Sequence, residues 1–308
     1  MNEATVSPKA VDQAERPPRS QWLDVWDQFK THKGALVGAA VFICILLFVL
    51  IGPLVYKTDP GFANLLMRNK VPSLQFPFGT DELGRDLFAR MMAGGKVSLA
   101  VGMTAMSIAV MLGTLIGVSA GFFRRLDGPL MRLTDLFLAL PLLPLLLVMV
   151  MLFREALSSR LGPEAGIFIL MVVSIGATSW MQTARIVRGE VLALKEREFV
   201  LAARSIGAPP VRMILRHILP NTLSPIMVAA ALGIAGAIIV ESALSFLGLG
   251  FPPDFPTWGR LLFDAVDHLQ DHPNRVLLPG IAISLTVLSV NYIGDGLRDA
   301  LDPRIRGR

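Results

Sequence analysis

Few residues in this sequence have the types and spacing that chemistry requires. The one histidine pair with metal-ligand spacing lies in Asp267-His268-Leu-Gln-Asp271-His272. Histidines at i and i+4 on a helix can share a divalent cation. Pro273 follows at once, so the stretch reads as a solvated loop with no metal site. Gly94-Gly95-Lys96-Val97 is the nearest approach to a phosphate loop. The Walker pattern needs Ser or Thr after the lysine and another glycine five residues before the second one. Val97 and Arg90 occupy those places, and no ATP site is expected in this chain. Glu241 stands in an apolar run, where a carboxylate is costly. It reads either as functional (a gate or an inter-subunit pair) or as a hydrogen-bonded helix end. No series of Asp, Glu and His runs through the apolar stretches, which argues against proton-coupled transport. Cys44, the single cysteine, excludes an internal disulfide. No catalytic residue is expected.

The elements that must position these residues are membrane spans. The chain of 308 residues is 53% hydrophobic and only 17% charged, with a mean hydropathy of +0.58. Soluble domains keep about a quarter of their residues charged, and here the charges sit between long apolar runs. The pattern predicts an all-α polytopic membrane protein with spans at residues 34–56, 97–123, 133–153, 165–184, 223–246 and 276–294. The first would measure about 34 Å as a helix, enough for a hydrocarbon core of about 30 Å. Pro141 and Pro144 should kink the third or delay its start. Residues 1–33 and 298–308 form polar ends around a transmembrane domain at 34–297, and the first span serves as an uncleaved insertion signal.

Lys9, Arg16, Arg19, Lys30 and Lys33 precede the first span, Arg124, Arg125 and Arg132 follow the second, and the stretch after the fourth is the most basic. The positive-inside rule then places both termini in the cytoplasm. A net charge of +5 and a pI near 9.7 do not indicate nucleic acid, because the basic residues lie in short loops without interleaved aromatics. Gly113, Gly117 and Gly121 repeat every fourth position in the second span, as do Ala229, Gly233 and Ala237 in the fifth. Such stripes let helices approach closely, within the subunit or against a second one, or else line a pore wall. No internal repeat supports an inverted-repeat carrier.

The most informative stretch is cytoplasmic, 185–221. Phe199, Ala202, Ala203 and Ile206 would share one face of a short helix at 198–206, which Gly207 and Pro209-Pro210 stop. A second short helix, 211–218, would end before Pro220. This stretch resembles the cytoplasmic loop of bacterial ATP-binding-cassette import permeases: Glu-Ala-Ala, three residues, Gly, nine residues, Ile-x-Leu-Pro. Ala202-Ala203, Gly207 and Leu219-Pro220 fall in register, whereas Leu201 replaces the glutamate and Ile218 is shifted by one. Glu198, one turn earlier, is a substitute for that acid. Phe78-Gly-Thr-Asp-Glu-Leu-Gly-Arg-Asp-Leu-Phe-Ala-Arg90, Glu241-Ser-Ala-Leu-Ser-Phe-Leu-Gly-Leu-Gly250 with Pro256-Thr-Trp-Gly259, and Gly294-Asp-Gly-Leu-Arg-Asp-Ala-Leu-Asp-Pro-Arg304 narrow the resemblance to the dipeptide/oligopeptide/nickel branch, second ("C") permease subunit.

The resemblance implies the type I importer permease fold in a bacterial inner membrane. It also implies a heterodimer with a similar permease, two cytoplasmic ATPases that hold ATP and Mg, and an external substrate-binding protein. Glu198, Phe199, Ala202, Ala203, Arg204 and Gly207 would couple to an ATPase. On the outer side, Asp81, Arg85 and Asp86 would dock the binding protein, or else merely line the entry to the second span. Peptides are the leading cargo, with nickel chelates, opines, glutathione-like compounds and sugars as alternatives. The competing readings are an ion-coupled carrier acting alone and a membrane scaffold that recruits an ATPase.

Overall fold

The computed structural model describes residues 21–301. Segments 1–20 and 302–308, with Lys9, Arg16, Arg19, Arg304, Arg306 and Arg308 of the expected inner charge, lie outside the described residues. Six helical runs among the described residues are long and apolar enough to cross a membrane. The only β pairing among them is an isolated bridge between Thr80 and Asp86.

A first helix, α1 (Gln21–Thr31), precedes the spans. The first span is α2 (Lys33–Leu50) and α3 (Gly52–Val55). His32 caps it by accepting from the Ala35 amide at 2.9 Å, and Pro53 sits where α3 begins. The second is α4 (Leu87–Phe122), about 54 Å long at 1.5 Å per residue and longer than the hydrocarbon core. It starts ten residues before the expected span at 97–123. Asp86 caps it through bonds to the amides of Phe88 and Ala89 at 2.8 and 3.3 Å, and Arg90, which hydropathy reads as an interruption, is buried inside it.

The third span differs from expectation. The chain forms α5 (Arg124–Ala139), bends at Leu140–Pro141, and only then runs α6 (Leu142–Leu161). Leu140 is extended because a residue before proline is driven out of the helical region. The span expected at 133–153 thus begins at residue 142, the late start that the prolines allowed. The fourth is also two helices, α7 (Pro163–Ala177) and α8 (Trp180–Lys195), broken at Thr178–Ser179. The Thr178 hydroxyl donates to the Ser174 and Ile175 carbonyls at 2.8 and 3.2 Å. That local bond competes with continuation of the helix.

After α9 (Glu198–Ser205), the run Pro210–Phe246 is continuous: α10 (Pro210–Met213), a π turn at Ile214–Ile218, and α11 (Leu219–Phe246). The expected stop before Pro220 does not occur. In the first turn of α11 a proline's missing N–H is harmless, and the π turn lets the Leu219 amide bond Ile214 O. The short helix α12 (Trp258–Ala265) leads to α13 (Asn274–Leu301), which extends seven residues past the expected end of the sixth span.

The core centres on α4, whose most extensive partner is α8, followed by α11 and α7. The reason is the first glycine stripe. A Cβ on Gly113, Gly117 or Gly121 would lie 2.6, 2.6 or 2.7 Å from α8 atoms, so the two backbones lie nearly in contact. This stripe packs within the subunit.

Candidate functional site

At the end expected to be cytoplasmic, α9 begins at Arg197 in an extended N-cap conformation, with Glu198 in its first turn. It ends at Ser205, one residue short of the expected 206. Gly207 has φ +77°, its amide bonds Arg204 O at 3.0 Å, and Ala208 N bonds Ala203 O at 3.1 Å. That pair of bonds is a Schellman stop, and its left-handed residue favours glycine. The face drawn from periodicity is divided. Val200 and Ala203 turn inward, Val200 beside Phe122, Lys195 and Met213, whereas Phe199, Ala202 and Ile206 are exposed, Ile206 at 86%. Phe199 faces the His217 ring with centroids 6.3 Å apart. Glu198 and Arg204 are exposed beside this apolar patch. Periodicity missed Val200 because an eight-residue helix shows too few turns to locate its buried side.

From α9 a two-residue turn leads directly back into α8. Lys195 Nζ donates to the carbonyls of Gly121 and Phe122 at 3.0 and 3.4 Å, closing the end of α4. The Arg188 guanidinium reaches both oxygens of Asp127 at 2.5 and 2.8 Å, and Arg185 Nη2 reaches Asp135 at 2.5 Å. Hydrogen bonding from Arg188 holds the Asp127 carboxyl below the usual carboxylate range. Hence α5 is tied to α8.

At the far end of that pair lies a cavity of about 500 Å³. Its walls are the end of α5 with the start of α6 (Phe137, Leu140, Leu142), the break at Thr178–Ser179 with Gln182 and Ile186 of α8, and the small residues of α11. Ala229, Gly233 and Ala237, the second stripe of the sequence, belong to this wall, as does Gly236, where an added Cβ would meet nothing. The lining contains no ionisable side chain; its polar groups are Thr178, Ser179, Gln182 and Thr183.

At the start of α4, the three residues expected at a docking surface are turned inward. Asp81 takes the Arg85 Nε at 2.6 Å and the amides of Leu83 and Arg85 at 2.9 and 2.8 Å. Asp86 caps α4 and accepts from the Tyr56 hydroxyl, and burial raises the Tyr56 pKa, with Asp86 adding to it. All three are buried within this chain, where their bonds brace the start of α4. Sequence reasoning missed Arg90, which is wholly buried between Asp81 at 3.9 Å and Asp264 at 3.6 Å. Arg85 and Arg90 both donate to Pro253 O at 3.2 Å. Burial pushes the Asp264 carboxyl up, against the pull of Arg260 and Arg90. The one signal for Arg90 was an arginine beside an apolar run.

Glu241 is 0% exposed and accepts from the hydroxyls of Ser245, Ser98 and Ser242 at 2.8, 2.9 and 3.4 Å. Ser98 also receives the Trp258 amide at 3.3 Å, and Trp258 Nε1 bonds Met91 O at 3.0 Å. These bonds agree with the hydrogen-bonded helix-end reading. His268 pairs with Glu82 at 2.8 Å, and no group of three or more His, Cys, Asp or Glu among the described residues is placed to hold a metal.

This arrangement of a membrane cavity joined through two tied helices to an exposed short helix has relatives. The family described as the binding-protein-dependent transport system inner membrane component matches residues 109–307. The chain belongs to this family. Ahead of that match, residues 20–72 match the N-terminal TM domain of oligopeptide transport permease C. Among relatives of this transport family, the oligopeptide transport system permease protein OppC of Bacillus subtilis is 37% identical over 93% of this chain and 91% of its own length. The dipeptide transport system permease protein DppC of Alkalihalophilus pseudofirmus is 39% identical over 93% and 91%. A chain of the MetNI methionine ABC transporter, in inward-facing conformations, shares the fold with a TM-score of 0.54 at 16% identity. It covers 70% of this chain and 98% of its own.

Proposed function

We propose that this family member is one of two different permease subunits of an ATP-driven peptide importer in the bacterial inner membrane, with both termini cytoplasmic. The observation that carries this reading is the cavity at the two helix breaks, connected through α8 to the exposed apolar face of α9. Phe199, Ala202 and Ile206 on that face, with Glu198 and Arg204 at its edges, suit a groove on a cytoplasmic ATPase, where ATP and Mg are bound. Gly207 and Pro209 fix the exit of α9 so that a push on it is delivered to α8. A second permease subunit closes the open side of the cavity. A substrate-binding protein delivers cargo to an outer surface that Asp81, Arg85 and Asp86 brace from below.

The relatives named for oligopeptide and dipeptide transport support peptides as cargo. The lining agrees: without ionisable groups it has no fixed charge to discriminate among side chains, while Thr178, Ser179 and Gln182 offer hydrogen bonds to amides. The test is reconstitution of this chain in vesicles with its companion permease, ATPases and binding protein. ATP-dependent uptake of a labelled peptide, abolished by omitting any one component, is the expected result. Uptake driven by a proton gradient without the ATPases, or no uptake by the full assembly, would overturn the reading.

A further inference from the structure

The two breaks and the two ion pairs are parts of one device. Helix α5 reaches the cavity at Phe137 and Leu138, with Leu140 at the bend beyond it, and α8 reaches it at Met181 and Gln182. Both are severed from their membrane spans there, α5 at Leu140–Pro141 and α8 at Thr178–Ser179. Below the breaks the helices run antiparallel, with Asp127 on Arg188, Asp135 on Arg185, and the Phe137 ring on Trp180 at 6.0 Å between centroids. The fixed contacts therefore lie below the level at which the backbone is interrupted. One turn above the α8 break the Ser174 hydroxyl is fully buried without a partner, a cost carried at the pivot in this arrangement.

We propose that Asp127 and Asp135 are positioning residues that lock α5 to α8, so that two walls of the cavity swing together when α9 is displaced. The inference rests on the importer reading. Only α8 is joined directly to α9. Without the lock, α8 turns about Thr178–Ser179 while the α5 wall at Phe137 and Leu138 stays behind, and the cavity changes shape only on one side. The Asp135–Arg185 pair is about half exposed and the Asp127–Arg188 pair about a third, and ion pairs open to solvent stabilise a fold little. Their removal therefore leaves the chain folded and separates coupling from stability.

The test is the ratio of peptide imported to ATP hydrolysed by the full assembly in vesicles, with Asp127→Asn and Asp135→Asn combined. Expected is a fall of roughly two- to thirtyfold in the ratio, the range that altered coupling along such a path produces, while ATP hydrolysis stimulated by the binding protein persists. Exchanging the charges, Asp127→Arg with Arg188→Asp, should restore the ratio. A wild-type assembly that imports normally alongside an undiminished ratio in the double variant would overturn the locking role alone. So would a lowered ratio that the charge exchange leaves unrestored. Absence of ATP-dependent uptake in the wild type would instead overturn the importer reading.

Discussion

Replacing Gly117 by alanine sets a steric cost against a conformational gain, and the structure gives the size of each. The added Cβ would lie 2.6 Å from Ala184 O, 2.8 Å from Val187 Cβ and 3.1 Å from Arg188 N. Unstrained carbon contacts need about 3.5–4.0 Å, so α4 and α8 must part by about 1 Å. Overpacking of this kind costs about 1–3 kcal/mol. Alanine is favoured over glycine in a helix by about 1 kcal/mol, which leaves a net loss of about 0–2 kcal/mol. Gly189→Ala is the matched control. It lies on the same α8, and its Cβ would meet nothing within 4 Å, so only the gain of about 1 kcal/mol remains. The two substitutions are chemically identical and should differ by about 1–3 kcal/mol in opposite directions. Unfolding of the purified chain by denaturing detergent measures this difference. Equal midpoints for the two variants would refute the claim that close backbone approach along the stripe holds α4 to α8.

At Gly207 the constraint is the backbone angle, since an added Cβ has open space. Gly207→Val should reduce uptake at normal expression, while Gly207→Asn, tolerant of the left-handed region, should retain most of it; normal uptake by the valine variant counts against the role of the stop. Trp258→Ala empties a fully buried site and should cost about 3–5 kcal/mol, whereas Trp258→Phe should lose mainly the bond to Met91 O; both are read from unfolding midpoints. Glu241→Leu leaves up to three buried serine hydroxyls without their acceptor and should destabilise by about 1–3 kcal/mol per unsatisfied group, while Glu241→Gln keeps an acceptor and should be milder. Arg188 lowers the Asp127 pKa, so the stability this pair contributes is fully present above the unfolded value of 3.8 and is lost only as pH falls through the lower folded value. Hydrogen exchange in α5, corrected for its intrinsic pH dependence, should therefore be level between about pH 5 and 7; a rise in that window contradicts the assignment.

The spans, the stripes and the Gly207 stop were legible because each is written locally, in hydropathy, in a four-residue spacing, and in a glycine followed by two prolines. The beginning of α4 was not. Arg90 interrupts the apolar run, and what makes it tolerable is Asp264 and Pro253, far away in sequence. For the same reason Asp81, Arg85 and Asp86 read as solvent-facing charges although they are bonded inside the chain. The cavity was half legible. Ala229, Gly233 and Ala237 announced a close approach or a pore wall, but the opposing wall depends on where the chain bends. Pro141 signalled one bend, and nothing as strong as a proline marks Thr178–Ser179. The exposed side of α9 could not be told from the buried one, because Val200 and Phe199 are equally apolar and tertiary contacts decide between them.

The burial of Arg90 also constrains how the protein is made. Its carbonyl acceptor, Pro253, is 163 residues further along the chain, and Asp264 follows later still. While the ribosome is still synthesising the intervening spans, the guanidinium has only Asp81 close at hand. The start of α4 therefore remains unsealed until the last third of the chain is inserted. Nascent chains stalled before α12 would display an unburied arginine and the vacant Trp258 site, which distinguishes an unfinished permease from a finished one.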